Sequence, residues 1–127
     1  EDGWGHVSTF GGAELGCRVA ATVLDLTVAA LPNLPIARWT DGFAELATKY
    51  PEWIVEVRQT GLIIGVKFAH EAGGMLMTKL LFDAGVWAMF AGFDRSVLQV
   101  KPGLLMFDEI DSVLAAFDAA CAVAASW

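Results

Sequence analysis

The sequence predicts an α+β fold: an antiparallel or mixed sheet with helices packed on it, preceded by one long apolar helix. Three observations predict it. The segments run helix, helix, strand, strand, helix, strand, strand, helix. Two β-rich runs, 53–58 and 62–68, flank Gln59-Thr60-Gly61 at hairpin spacing. The last segment, 109–125, places Ile110, Val113, Leu114, Phe117, Cys121 and Ala124 on one helical face.

Residues 1–11 read as loop and short strand. Residues 12–31 read as a helix in which Arg18, Thr22 and Asp25 form one narrow polar stripe and nearly everything else is apolar. Such a helix is expected to be buried or clamped between domains. Pro32 and Pro35 end it. A second helix spans about 36–50 and stops at Pro51. After the hairpin, Gly73-Gly74 marks a loop, and 75–84 forms a helix with Leu76, Leu80 and Ala84 on one stripe and Gly85 as its stop. Strands at 86–90 and 96–101 are joined by Gly92-Phe93-Asp94-Arg95. Asp108 is placed to cap the final helix, with Asp111 in its first turn.

Composition narrows the function. A net charge of −7 argues against nucleic acid, which wants a basic face, and against an anionic membrane surface. The longest apolar stretch, 15–31, carries Arg18 and Asp25, which argues against a membrane span. At 56% hydrophobic, the chain has apolar surface to spare for a domain this size, so part of it is expected to lie against a partner. Cys17 and Cys121 lack metal-like spacing and fall in apolar helical patterns. They read as buried free thiols of a cytoplasmic protein. The five tryptophans read as core or interface anchors, and the four methionines as gap fillers.

One stretch points to chemistry. His6-Val-Ser-Thr-Phe-Gly-Gly12 runs straight into the first long helix. Hydroxyls and glycines before a helix N-terminus can hold a phosphate: free amides point outward, the dipole favours negative charge, and glycine allows close approach. A plain helix-starting turn has the same pattern.

The flanks add to this. HVSTFGGAELGC, residues 6–17, resembles the signature of class III (ω-type) aminotransferases, which use pyridoxal phosphate. VRQTGLIIGVKF, 57–68, resembles that family's hairpin, and GVWAMFAGFDRSVLQVKPGLLMFDEID, 85–111, its last strands and the start of its last helix. The resemblance implies the C-terminal portion of a fold-type I enzyme. Residues 1–31 would be the tail of the large domain with its connecting helix, and 32–127 the small C-terminal α+β domain. A missing N-terminal large domain and a second subunit would be its partners.

The resemblance also assigns residues. Thr9 matches the threonine that donates a hydrogen bond to the cofactor phosphate of the neighbouring subunit. Ser8 is a second candidate for that phosphate, or for a bond to its local backbone. Glu14 departs from the family's asparagine-proline continuation, and its carboxylate is expected to turn away from a phosphate. Gln59 stands where the family has a turn glycine. Gln99 stands where many members carry an arginine that grips the substrate's α-carboxylate, and a glutamine cannot supply that charged fork. Lys101, on the same side of the strand, either supplies the missing charge or is a solvent-facing edge residue. His6 reads as structural.

None of Lys49, Lys67, Lys79 and Lys101 lies in a context like that of the family's cofactor-bearing lysine. The expectation is therefore a fragment, inactive alone, of an enzyme moving an amino group from an amine or amino acid to a 2-oxo acid. The chain starts at Glu1, as a cut polypeptide would. The alternatives are a free-standing binding module on the small-domain fold, or a lyase or mutase on the same scaffold.

Overall fold

The computed structural model describes residues 8–103, 106 and 108–126. It divides into two units, residues 1–34 and 35–127. His6, Trp4 and Trp127 lie outside the described residues.

The first unit is a turn followed by α1 (Glu14–Ala30) and a one-turn 3-10 helix, Leu31–Asn33. Pro32 closes the α-helix, since it has no amide to donate to the next turn. No residue of α1 is buried, and Leu15, Val19, Val23, Leu24, Leu26 and Val28 are all exposed. The expected burial of Cys17 is corrected with it: Cys17 is exposed, while Cys121 is buried. Glu14–Asn33 has the length and apolar composition of a membrane span, as does many an apolar helix that packs inside a larger protein. Ionised Arg18 and Asp25 count against lipid, at about 2.5–3.5 kcal/mol each near a bilayer centre.

The second unit holds α2 (Ile36–Lys49), β1 (Ile54–Thr60), β2 (Ile63–Phe68), α3 (Gly73–Asp83), β3 (Met89–Phe90), β4 (Val97–Val100) and α4 (Ile110–Ala124). Its sheet is antiparallel in the order β1-β2-β4-β3. The α+β expectation holds. Alternation at period two sends Ile64, Val66, Phe68, Leu98 and Val100 into the core. They meet Trp39, Phe43 and Leu46 of α2, Met77 and Leu81 of α3, and the apolar face expected for α4. Phe43 stacks on Trp39 at 6.2 Å and meets Phe117 edge-on at 5.1 Å.

The hairpin turns through Gly61 and Leu62, because Thr60 already pairs with Ile63. Gly61 has φ +58, the first-position requirement of a II′ turn. Gln59 therefore belongs to the strand. Its amide donates to the Gly61 carbonyl at 2.9 Å and its oxygen accepts from the Thr40 hydroxyl at 3.0 Å.

Several expectations are corrected. Gly73 and Gly74 are the buried first turn of α3, not a loop. A Cβ at Gly73 would lie 2.5 Å from the Phe68 Cβ, and one at Gly74 2.4 Å from the Val97 carbonyl oxygen. Glycine lets the helix touch the strands there. The buried stripe of α3 is accordingly Met77 and Leu81, with Leu76 and Leu80 only flanking it. The third strand shrinks to Met89–Phe90 because Val86 is used elsewhere: its amide donates to the Leu81 carbonyl and that of Gly85 to Phe82, closing α3 in a Schellman motif with Gly85 at φ +84. Glu109, not Asp108, stands at the N-cap of α4, without a side-chain cap bond. Of the methionines only Met77 fills core space, and Trp87 is exposed.

Two ion pairs tie α2 to α4. Arg38 reaches Asp111 at 2.6 Å, and Lys49 reaches Asp118 at 2.7 Å, with the Tyr50 hydroxyl donating to the same carboxylate at 2.9 Å. The Lys49 bond, then that of Tyr50, holds the Asp118 carboxyl below its ordinary range. A carboxylate whose folded pKa is depressed adds stability above the unfolded value near 3.9, and loses it as pH falls through the folded value. The stability gap between the parent chain and Asp118→Asn should thus be constant from neutrality to about pH 5 and shrink below about pH 4. Denaturant melts across that range check it; a gap unchanged at pH 2 would refute the linkage.

Candidate functional site

The sequence candidates fall in both units. In the first, Ser8, Thr9 and Phe10 are exposed and precede a turn at Gly11-Gly12. The Ala13 amide closes this turn on the Phe10 carbonyl at 3.0 Å, and the first helical bond runs from the Cys17 amide to Ala13. The amides of Glu14, Leu15 and Gly16 are thereby left without intrahelical partners. Gly11 leaves room for Ser8: a Cβ on it would fall 2.9 Å from the Ser8 Cβ and 3.0 Å from the Ser8 hydroxyl. Ser8 is folded back against the turn, while Thr9 shows no hydroxyl bond among the described residues. Glu14 reaches along the helix to Arg18, at 2.8 and 3.2 Å, so its charge is drawn away from the first turn. The segment offers an anion free amides, an exposed hydroxyl and the positive end of a 17-residue helix.

In the second unit, Gln99 projects from the sheet face opposite Leu98 and Val100, as period-two spacing requires, and Lys101 follows directly after β4. The structure brings them together. The Lys101 ammonium donates to the Gln99 side-chain oxygen at 2.7 Å, and the Gln99 amide donates to the Phe90 carbonyl at 3.3 Å. The glutamine is thus held from both ends with its oxygen toward the lysine. One ammonium proton is used, and two remain to bind an anion.

Elsewhere on this unit Lys67 pairs with Asp94 at 3.2 Å, and Asp94 also accepts from the Ser96 amide and hydroxyl at 3.0 and 2.6 Å. Those Ser96 bonds, then Lys67, hold the Asp94 carboxyl below its ordinary range and fix the β3–β4 loop. Lys79 pairs with Asp83 within α3. Burial pushes the Cys121 thiol up to about 12, so it is a poor nucleophile. Among the described residues, no cluster of three or more His, Cys, Asp or Glu is arranged to share a metal.

Sequence reasoning did not single out Arg58. Antiparallel register sets it opposite Gly65, which in turn lies opposite Gln99. Cross-strand register of this kind cannot be read from local spacing.

No family model matches the chain. It is 37% identical over 112 residues to an uncharacterized aminotransferase of Archaeoglobus fulgidus, a match that covers 85% of this chain and 26% of that protein. It is 30% identical over 108 residues to a putrescine aminotransferase of Pectobacterium atrosepticum, covering 82% of this chain and 23% of that one. Among solved structures it is similar to an N-acetylornithine aminotransferase from Stenotrophomonas maltophilia, with a TM-score of 0.68 and 25% identity over 86% of this chain and 30% of that one. The chain therefore spans about a quarter of the length of the curated relatives it matches. Residues 35–127 make up under three quarters of the chain, so each match must reach into the unit that carries α1.

Proposed function

We infer that this chain, a portion of a class III aminotransferase, contributes a phosphate-holding turn and a substrate-facing sheet to a pyridoxal-phosphate enzyme that moves an amino group from an amine or amino acid to a 2-oxo acid. The observation that carries this reading is the Ser8–Gly12 turn. It pairs an exposed hydroxyl with open helix-start amides, and the Glu14 carboxylate in the first helical turn is drawn off by Arg18. That arrangement fits the cofactor's dianionic phosphate.

When bound, the cofactor supplies an electron sink at the substrate carbon. The residues of this chain have other tasks. Thr9 donates to the phosphate, with Ser8 behind it, for a cofactor anchored mainly in the other subunit of a homodimer. Lys101, oriented by Gln99, offers a positive charge to a substrate carboxylate. The lysine that carries the cofactor covalently belongs to the large domain: none of Lys49, Lys67, Lys79 and Lys101 stands in a sequence context like that of the family's cofactor-bearing lysine. Alone, the 127 residues do not transaminate. The apolar flank of α1 packs on that large domain, not on lipid, in a cytoplasmic enzyme.

Thr9→Ala in the complete protein tests the assignment. It removes one bond to a charged acceptor, which is worth about 1.5–3 kcal/mol. Cofactor dissociation, followed by its absorbance on dialysis, should become at least tenfold easier, with dimerisation intact. Unchanged retention in a verified dimer would overturn the role of Thr9.

A further inference from the structure

We propose that Arg58 is a second anchor for the substrate carboxylate, closing with Lys101 over a floor left bare by Gly65. This deepens the reading in which Lys101 binds that carboxylate, and it rests on it.

Three observations carry it. First, register places Arg58, Gly65 and Gln99 in one cross-strand row, and residues directly opposite share a face. The alternate residues Ile64 and Val66 are buried, so this row faces away from the helices. Second, packing within the chain does not require the glycine. A Cβ on Gly65 would meet the Val97 Cγ1 at 3.7 Å, an ordinary contact, and the backbone there is not left-handed. Glycine inside a strand weakens it, and often marks a place where a ligand comes close. Third, the Arg58 guanidinium is half-exposed and makes no hydrogen bond among the described residues: Glu56 pairs with its Nε at 3.6 Å, beyond hydrogen-bond reach, which leaves its two terminal nitrogens for a ligand. Charge on an edge strand guards against unwanted pairing, which accounts for an arginine on β1 but not for the empty position beside it.

The dimensions suit a single carboxylate. Strands lie about 4.8 Å apart, so β1 and β4 flank a trough roughly 10 Å wide. An arginine and a lysine both reach inward over that distance. The fork absent at position 99 is thus supplied from the opposite wall, where a planar guanidinium can bind both carboxylate oxygens. Lys101 adds a point charge held in place by Gln99.

Arg58, Gly65, Gln99 and Lys101 all belong to this chain, so the chain itself is the object to test. Isotope-labelled chain is titrated with pyruvate, reading the Gly65 amide and the Arg58 side-chain N–H by NMR. Saturable shifts centred on both are expected. Arg58→Gln should weaken binding about tenfold, the loss of one charge-assisted contact. Gly65→Val, which suits a strand and so keeps the dispersed spectrum of a folded chain, should abolish it. If Lys101→Met alone abolishes binding while Arg58→Gln and Gly65→Val titrate like the parent, Lys101 keeps its role and the proposal for Arg58 is overturned. If pyruvate moves neither the Gly65 nor the Arg58 signal of the parent chain, both readings fall.

Discussion

Gly74→Ala should destabilise the second unit by about 3 kcal/mol, a large share of the roughly 5–15 kcal/mol that holds a domain of this size. The added methyl has nowhere to go. Its position lies 2.4 Å from the Val97 carbonyl oxygen, 2.6 Å from the Val97 carbonyl carbon and 2.8 Å from the Arg95 carbonyl oxygen. All three are backbone, so no rotamer relieves the clash. Pushing α3 away would also stretch the bond from the Gly74 amide to the Arg95 carbonyl, now 2.9 Å, and part α3 from β4. Alanine's better helix propensity returns only about 0.5–1 kcal/mol. At Gly42 the obstruction is of another kind: a Cβ there meets the Leu114 methyls at 2.3 and 2.8 Å, and a side chain can swing. Urea unfolding of Gly74→Ala checks the figure; a midpoint equal to the parent's would mean that α3 approaches β4 less closely than described.

Phe117→Ala should cost about 3–5 kcal/mol, as large-to-small changes at fully packed aromatics do. Phe117 is 1% exposed, and its ring meets Phe43 edge-on at 5.1 Å between centroids. Phe43 in turn stacks on Trp39, so one truncation loosens the contact between α4 and α2 along its length. The two ion pairs across the same helices do not make up the loss, because exposed pairs contribute about 1 kcal/mol or less. Phe82, 64% exposed, supplies the comparison: its truncation should change stability by about 0.5 kcal/mol or less. Equal effects at the two positions would contradict the placement of the core.

The parts legible in the sequence were those set by local periodicity. The α4 core face follows from 3.6-residue spacing, and the placing of Gln99 and Lys101 on one side from two-residue spacing, while the bond between them emerges only in the structure. The parts not legible were set by contacts between distant segments. Gly73-Gly74 looks like a loop until Phe68 and Val97 come up against it, and only then does it read as a helix start built for close approach. Val86 suits a strand, but the α3 cap claims its amide. The greasy α1 suggested burial that none of its residues finds in the chain. At the candidate site, the Ser8–Gly12 turn was visible because its residues are consecutive. Arg58 was not, because only the register of three strands sets it in line with Gln99.

The central claim is that the Thr9 hydroxyl and the opening amides of α1 serve the phosphate of a cofactor held chiefly by another subunit. A crystal structure of the complete, cofactor-loaded dimer measures this directly. The account predicts the Thr9 Oγ1 at hydrogen-bond distance from a phosphoryl oxygen, with the Glu14 carboxylate still turned to Arg18. A phosphate cradled wholly by other residues, with Thr9 facing solvent, would contradict it.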